Sequence, residues 1–163
     1  MYIVSIPENF TRADGKPFRK NKEDNEGREI RRLDKVGNPI ATKVGQIEIP
    51  EYETERASFA DMLIFFLNNL FGLVAIKARD NKEIKSLGFE DSSLATDCLR
   101  AIHIAEKTLE LEKHPYEWLM KMITTWGSDI QLFGVNAAVI LEPFKQAQEE
   151  MPTRAEKKRA ENV

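Results

Sequence analysis

Residues that commonly carry chemistry are scarce in this chain. Among its 163 residues are one cysteine, Cys98, and two histidines, His103 and His114. A single thiol excludes an internal disulfide and a four-cysteine zinc site, and it suits a reducing compartment. Glycine is sparse and scattered. None of Gly37, Gly127 and Gly134 opens a Gly-rich turn followed by Lys-Ser or Lys-Thr, so no phosphate-binding loop is expected. No Gly-x-Ser-x-Gly elbow occurs either.

Long apolar runs are also missing. The most apolar stretch, Met62 to Ile76, is interrupted by Asn68, Asn69 and Gly72. A membrane span takes about 20 mainly apolar residues, so a buried helix is expected here and no membrane partner. The first twenty residues lack a basic segment followed by an apolar one, and no secretory signal is expected. Net charge is small, at −3, which argues against holding nucleic acid through the overall field. The charge is uneven, with mildly basic ends around an acidic middle.

What is present divides the chain into three. Residues 1–57 read as an extended, β-hairpin-rich arm and linker. Tyr2–Ile6 favours a strand, Asp14-Gly15 and Gly37-Asn38-Pro39 are turn signals, and Gln46–Ile49 alternates as a half-buried strand would. No internal repeat of fixed period is visible. Residues 58–150 read as a helical domain of about four helices, opened by Ser58-Phe59-Ala60-Asp61, a near capping box. The second helix is expected from Ser92 or Ser93 to about Glu112. The third has Pro115 in its first turn and Gly127 at its end, and the fourth runs from Asn136 to about Glu150 with a kink or a break at Pro143. Residues 151–163 read as a charged flexible tail. The fold class is α+β, a hairpin-rich arm followed by a helical bundle.

Candidate chemistry is thin. His103 and Glu106 lie three apart, with Glu110 beyond, but a di-metal bundle would need a second histidine pair. Cys98 falls in the apolar register of its helix, where a buried core thiol is the default. No catalytic, metal or cofactor residue is therefore nominated, and no enzyme is expected.

Two binding surfaces do stand out. Arg19, Lys20, Arg28, Arg31 and Arg32 crowd the arm and would be the contacts of a nucleic-acid-associated regulator, although acidic residues interrupt them. Phe59, Phe65, Phe66 and Phe71, with Ile47 and Ile49, form the other: an apolar interaction surface on a helix and an arm. The arm has few large apolar residues for its length, and an isolated hairpin is marginal in water. It must lean on something else. The preferred expectation is a cytoplasmic, non-enzymatic assembly component that binds itself or another protein, in the style of a small phage or particle accessory protein. A nucleic-acid-binding regulator is the alternative.

Overall fold

In the computed structural model, residues 1–130 and 133–149 are described. The chain is an α+β protein that divides into two units. One combines Met1–Lys16 with Ser58–Val163; the other is Pro17–Ala57. The tail expected over 151–163 lies outside the described residues.

The first unit is built on α1 (Phe59–Asp80). Its start is the capping box that the sequence announces. Asp61 N–H donates to Ser58 Oγ at 3.1 Å, and Ser58 N–H donates to Asp61 Oδ2 at 2.8 Å. The helix continues through Gly72 for 22 residues. It is the one helix among the described residues long and apolar enough, by length and composition, to cross a membrane. One face of it is nevertheless sequestered: Phe59, Met62, Leu63, Phe66, Leu67, Leu70 and Val74 are buried. Phe66 stacks on Phe133 at 5.5 Å between ring centroids, and Phe59 meets Phe10 edge-on at 5.3 Å.

Helix α2 (Phe89–Ile104) is shorter than expected. Its cap is Gly88, not Ser92 or Ser93, because Asp91 reaches back and accepts from the Gly88 N–H at 2.8 Å. The other Asp91 oxygen accepts from Trp118 Nε1 at 2.9 Å, so one carboxylate both starts α2 and pins the next helix. Beyond Ile104 the chain turns into a strand instead of continuing to Glu112. Leu109 and Leu111 are buried while Thr108 and Glu110 are exposed, the period-two pattern of a strand.

That strand defines the sheet. Strand β1 (Tyr2–Ser5) lies in the centre, antiparallel to Thr108–Leu111 on one side and to Gln148–Glu149 on the other. Residues 1–16 therefore belong to the helical unit, and the expected arm begins only at Pro17. The pairing holds Val4 fully buried and stacks the Tyr2 ring on Tyr116 at 4.0 Å. Helix α3 (Lys113–Trp126) carries Pro115 in its first turn, as expected. Gly127 follows in right-handed geometry, not in the left-handed cap that the sequence suggests. Its use is close packing, since a Cβ there would lie 3.1 Å from Ala137 Cβ. Helix α4 (Ala137–Lys145) contains Pro143 and ends before the expected Glu150. Asn136 precedes it without capping it by its side chain; instead its Oδ1 accepts from the Ala13 N–H at 2.9 Å.

The second unit is all β. Its strands are β2 (Arg19–Asn21), β3 (Ala41–Val44), β4 (Ile47–Pro50) and β5 (Thr54–Arg56). The residues from Ile47 to Arg56 form a return rail, and the outgoing chain pairs along it antiparallel in three stretches. These are anchored by Arg19↔Arg56, Arg31↔Tyr52 and Ala41↔Pro50. Between stretches the outgoing chain leaves the rail, makes a small hairpin and returns. At each departure three segments meet and pass hydrogen bonds in a ring. Lys22 N–H donates to Glu53 O, Glu53 N–H to Ile30 O, and Ile30 N–H to Lys22 O, at 2.8–2.9 Å. The same ring recurs at Arg32, Glu51 and Ile40.

The two side hairpins are one device used twice. Asp24-Asn25-Glu26-Gly27 and Asp34-Lys35-Val36-Gly37 each close a turn with the glycine at positive φ, 76° and 91°. In each the aspartate accepts two backbone N–H groups, from Glu26 and Arg28 and from Val36 and Asn38. The sequence thus holds a repeat, Asp-x-x-Gly-x-x-Ile at a ten-residue offset ending on Ile30 and Ile40, where none is expected. Backbone donation, from Arg28 to Asp24 and from Asn38 to Asp34, holds both carboxyls below their ordinary value of 3.8. A carboxyl lowered by folding supports the fold fully above its unfolded value, and the support is lost as pH falls through the folded one. Backbone amides of Arg28 and Asn38 are thus expected to keep their hydrogen-exchange protection at neutral pH and lose it only below the usual carboxylate range. Asp24→Ala and Asp34→Ala should remove the protection of their own turn at every pH, as NMR exchange would report.

Candidate interaction surface

The β unit is poor in core. Within it only Phe18 and Ala57 are buried, while Ile30, Arg31, Ile40 and Tyr52 are half-buried. Its order comes from backbone hydrogen bonds and turns, each worth only about 0.5–1.5 kcal/mol net.

At its outer stretch β3 and β4 form a two-stranded ribbon joined by Gly45-Gln46, with Gly45 at φ 64° as a tight II′-type loop requires. Opposed pairs place Thr42 with Ile49 and Val44 with Ile47, so these four share one face. Ala41, Lys43, Glu48 and Pro50 take the other, where Lys43 and Glu48 approach to 3.7 Å. Every residue of the ribbon's strands is exposed, with Val44 at 58%, Ile47 at 69% and Ile49 at 49%. The alternation at Ile47 and Ile49 marks a strand as expected, but the face it defines is uncovered instead of half-buried. Leu33 and Val36 on the second side hairpin add further exposed apolar surface.

The aromatic candidates separate. Phe59 and Phe66 are at 1% and 0% exposure, committed to the unit's own core, while Phe65 and Phe71 are half-buried on the outer side of α1. An apolar run cannot by itself say which of its faces the rest of the chain will cover.

Each basic candidate has a partner within the arm, while Arg31 Nε is buried without one. Arg19 donates to Thr54, and Lys20 lies 3.7 Å from Glu55. Arg28 bridges Asp24 and Glu26, and Arg32 lies 3.5 Å from Glu51. Arg31 donates to Ile40 O and stands over the Tyr52 ring, built into the second three-way junction. Arg19, Lys20 and Arg32 reach across to the return rail, Arg28 pairs within its own side hairpin, and exposed ion pairs of this kind are worth at most about 1 kcal/mol each.

The candidate chemical residues do not converge. His103 is exposed at the end of α2, and Glu106 lies in the turn that follows, so they do not share a helix face. Glu110 is exposed on the strand beyond. No cluster of three or more metal-ligating side chains occurs among the described residues. Cys98 is buried, and burial pushes its thiol up to about 12, far from a reactive thiolate. Compared with protein families, curated proteins and solved structures, the chain matches none.

Proposed function

We propose that this chain is a non-enzymatic assembly component that associates with itself or with another protein through its β arm and the outer side of α1. The observation that carries the reading is the ribbon face of Thr42, Val44, Ile47 and Ile49, apolar and uncovered on a unit with almost no core of its own. Two strands are too few to be independently stable, and a second layer packed on that face would supply what is missing. Edge pairing offers a partner strand the same opportunity. We place the protein in the cytoplasm, or in a particle such as a phage assembled there. The nucleic-acid alternative draws less support, since its five basic residues are engaged within the arm.

Replacing Ile47 and Ile49 together by Lys should lower the mass of the full-length assembly measured by light scattering. Replacing Lys43 and Glu48 by Ala, on the opposite face, should leave it unchanged. An assembly mass insensitive to the double Lys change, or a wild-type chain that is monomeric and gains no ribbon protection with concentration, overturns self-association through this face.

A further inference from the structure

The β3–β4 ribbon has two outer edges, and they are not alike. Glu51 N–H donates to Ile40 O at 3.1 Å, which fixes the alternation of the ladder that follows. Thr42 and Val44 turn their backbone groups inward to Ile49 and Ile47. Ala41 and Lys43 turn theirs outward, and on the other strand so do Glu48 and Pro50. Among the described residues these outward groups meet no partner. One edge therefore carries a lysine, and the other carries a glutamate and a proline that has no N–H.

Charge sorts the ways in which two such ribbons can join. In register, β3 against β3 sets Lys43 on Lys43, and β4 against β4 sets Glu48 on Glu48, both unfavourable. With the tips level, β3 against β4 sets Lys43 on Glu48 instead. Lys43 already lies 3.7 Å from the Glu48 of its own ribbon, and it gains a second glutamate on its open side. The same register matches the faces. Thr42 adjoins Ile49 and Val44 adjoins Ile47, the neighbours that each has within its own ribbon. Backbone bonds then run both ways between Lys43 and Glu48, and from Ala41 N–H to Pro50 O.

We propose that the ribbon pairs side by side with the ribbon of a second copy of this chain, the β3 edge of one on the β4 edge of the other. This rests on the self-association reading above and names its geometry. The contact takes a different edge from each copy, so it can repeat from copy to copy. Charge chooses the edge, while backbone bonds and apolar neighbours hold it. The alanine change at Lys43 and Glu48 described above therefore remains a neutral control.

The test mixes two full-length variants, Lys43→Cys and Glu48→Cys, one of them tagged so that the chains separate on a gel; Cys98 is buried and does not react. Side-by-side pairing brings the two new thiols together on opposed residues whose Cα atoms are about 5.5 Å apart, within disulfide range. Mild oxidation should give the unlike disulfide at least about tenfold over either like one. Independently, Lys43→Pro removes an outward donor and leaves the bonds within the ribbon in place. It should weaken association at least about tenfold in sedimentation equilibrium while the helical circular dichroism stays native. Like disulfides in equal or greater yield, no unlike disulfide, or a monomer at all concentrations would overturn the pairing. If the unlike disulfide fails while the Ile47/Ile49 change still lowers the assembly mass, the edge pairing falls and self-association through the face stands. If neither result appears, both fall.

Discussion

Removing residues 1–50 should unfold the helical unit, not merely trim an arm from it. The deletion takes the middle strand out of a three-stranded sheet, leaving Thr108–Leu111 without a neighbour. It also removes Val4 and Phe10, exposed at 0% and 5%, and the Tyr2 ring stacked on Tyr116. Each buried side chain of this size contributes about 1.5–3 kcal/mol, and each strand hydrogen bond about 0.5–1.5 kcal/mol. Together these losses match the roughly 5–15 kcal/mol by which a typical domain is stable. Excising 17–57 alone, with Lys16 joined to Ser58 through a flexible Gly-Ser linker, spares all of these contacts. That shortened protein should keep its helical circular dichroism and a cooperative thermal transition, while the 1–50 deletion should show neither. A cooperative melt after losing residues 1–50 would mean that the central strand is dispensable, contrary to its burial.

Phe66→Ala should cost about 3–5 kcal/mol, a large part of the stability of an ordinary domain. The ring is at 0% exposure, stacked on Phe133 and set in the buried stripe of α1. Deleting it leaves a cavity that neighbouring helices, tied by the sheet and the Asp91–Trp118 bond, can only partly close. Urea denaturation would read this as a lower midpoint at an unchanged slope. Phe65→Ala removes the same ring from the outer side of the same helix turn, where Phe65 is only half-buried. It should cost far less stability and act on association instead. Equal stability losses from the two would contradict the division of faces.

Much of the helical unit is legible in the amino-acid order. The Ser58–Asp61 cap, the three- and four-residue spacing after it and Pro115 in a first turn all act locally, and local chemistry can be read locally. The strand Thr108–Leu111 is hidden because Ala105 and Leu109 also satisfy a helical spacing from Cys98. Only the period-two burial of Leu109 and Leu111, imposed by pairing with Tyr2–Ser5 a hundred residues away, decides between them. The arm is legible as turns and strands, and its poverty of core is visible as a shortage of large apolar residues. Its branching is not, because ring hydrogen bonding at Lys22, Ile30 and Glu53 uses backbone groups that any residue supplies. The recurrence of Asp-x-x-Gly-x-x-Ile is the available signal. Among the interaction candidates, Ile47 and Ile49 are where a partner could reach them, while Phe59 and Phe66 are not, and that distinction needs three dimensions.

The three-way junctions let the outgoing rail carry more residues than the return rail without losing register. Between Arg19↔Arg56 and Arg31↔Tyr52 the outgoing rail spends twelve residues against four on the return; between Arg31↔Tyr52 and Ala41↔Pro50 it spends ten against two. Either way the surplus is eight, absorbed sideways by one twig. Removing the eight surplus residues of one twig would therefore leave outgoing and return rails equal in length and the rungs on either side in their present register.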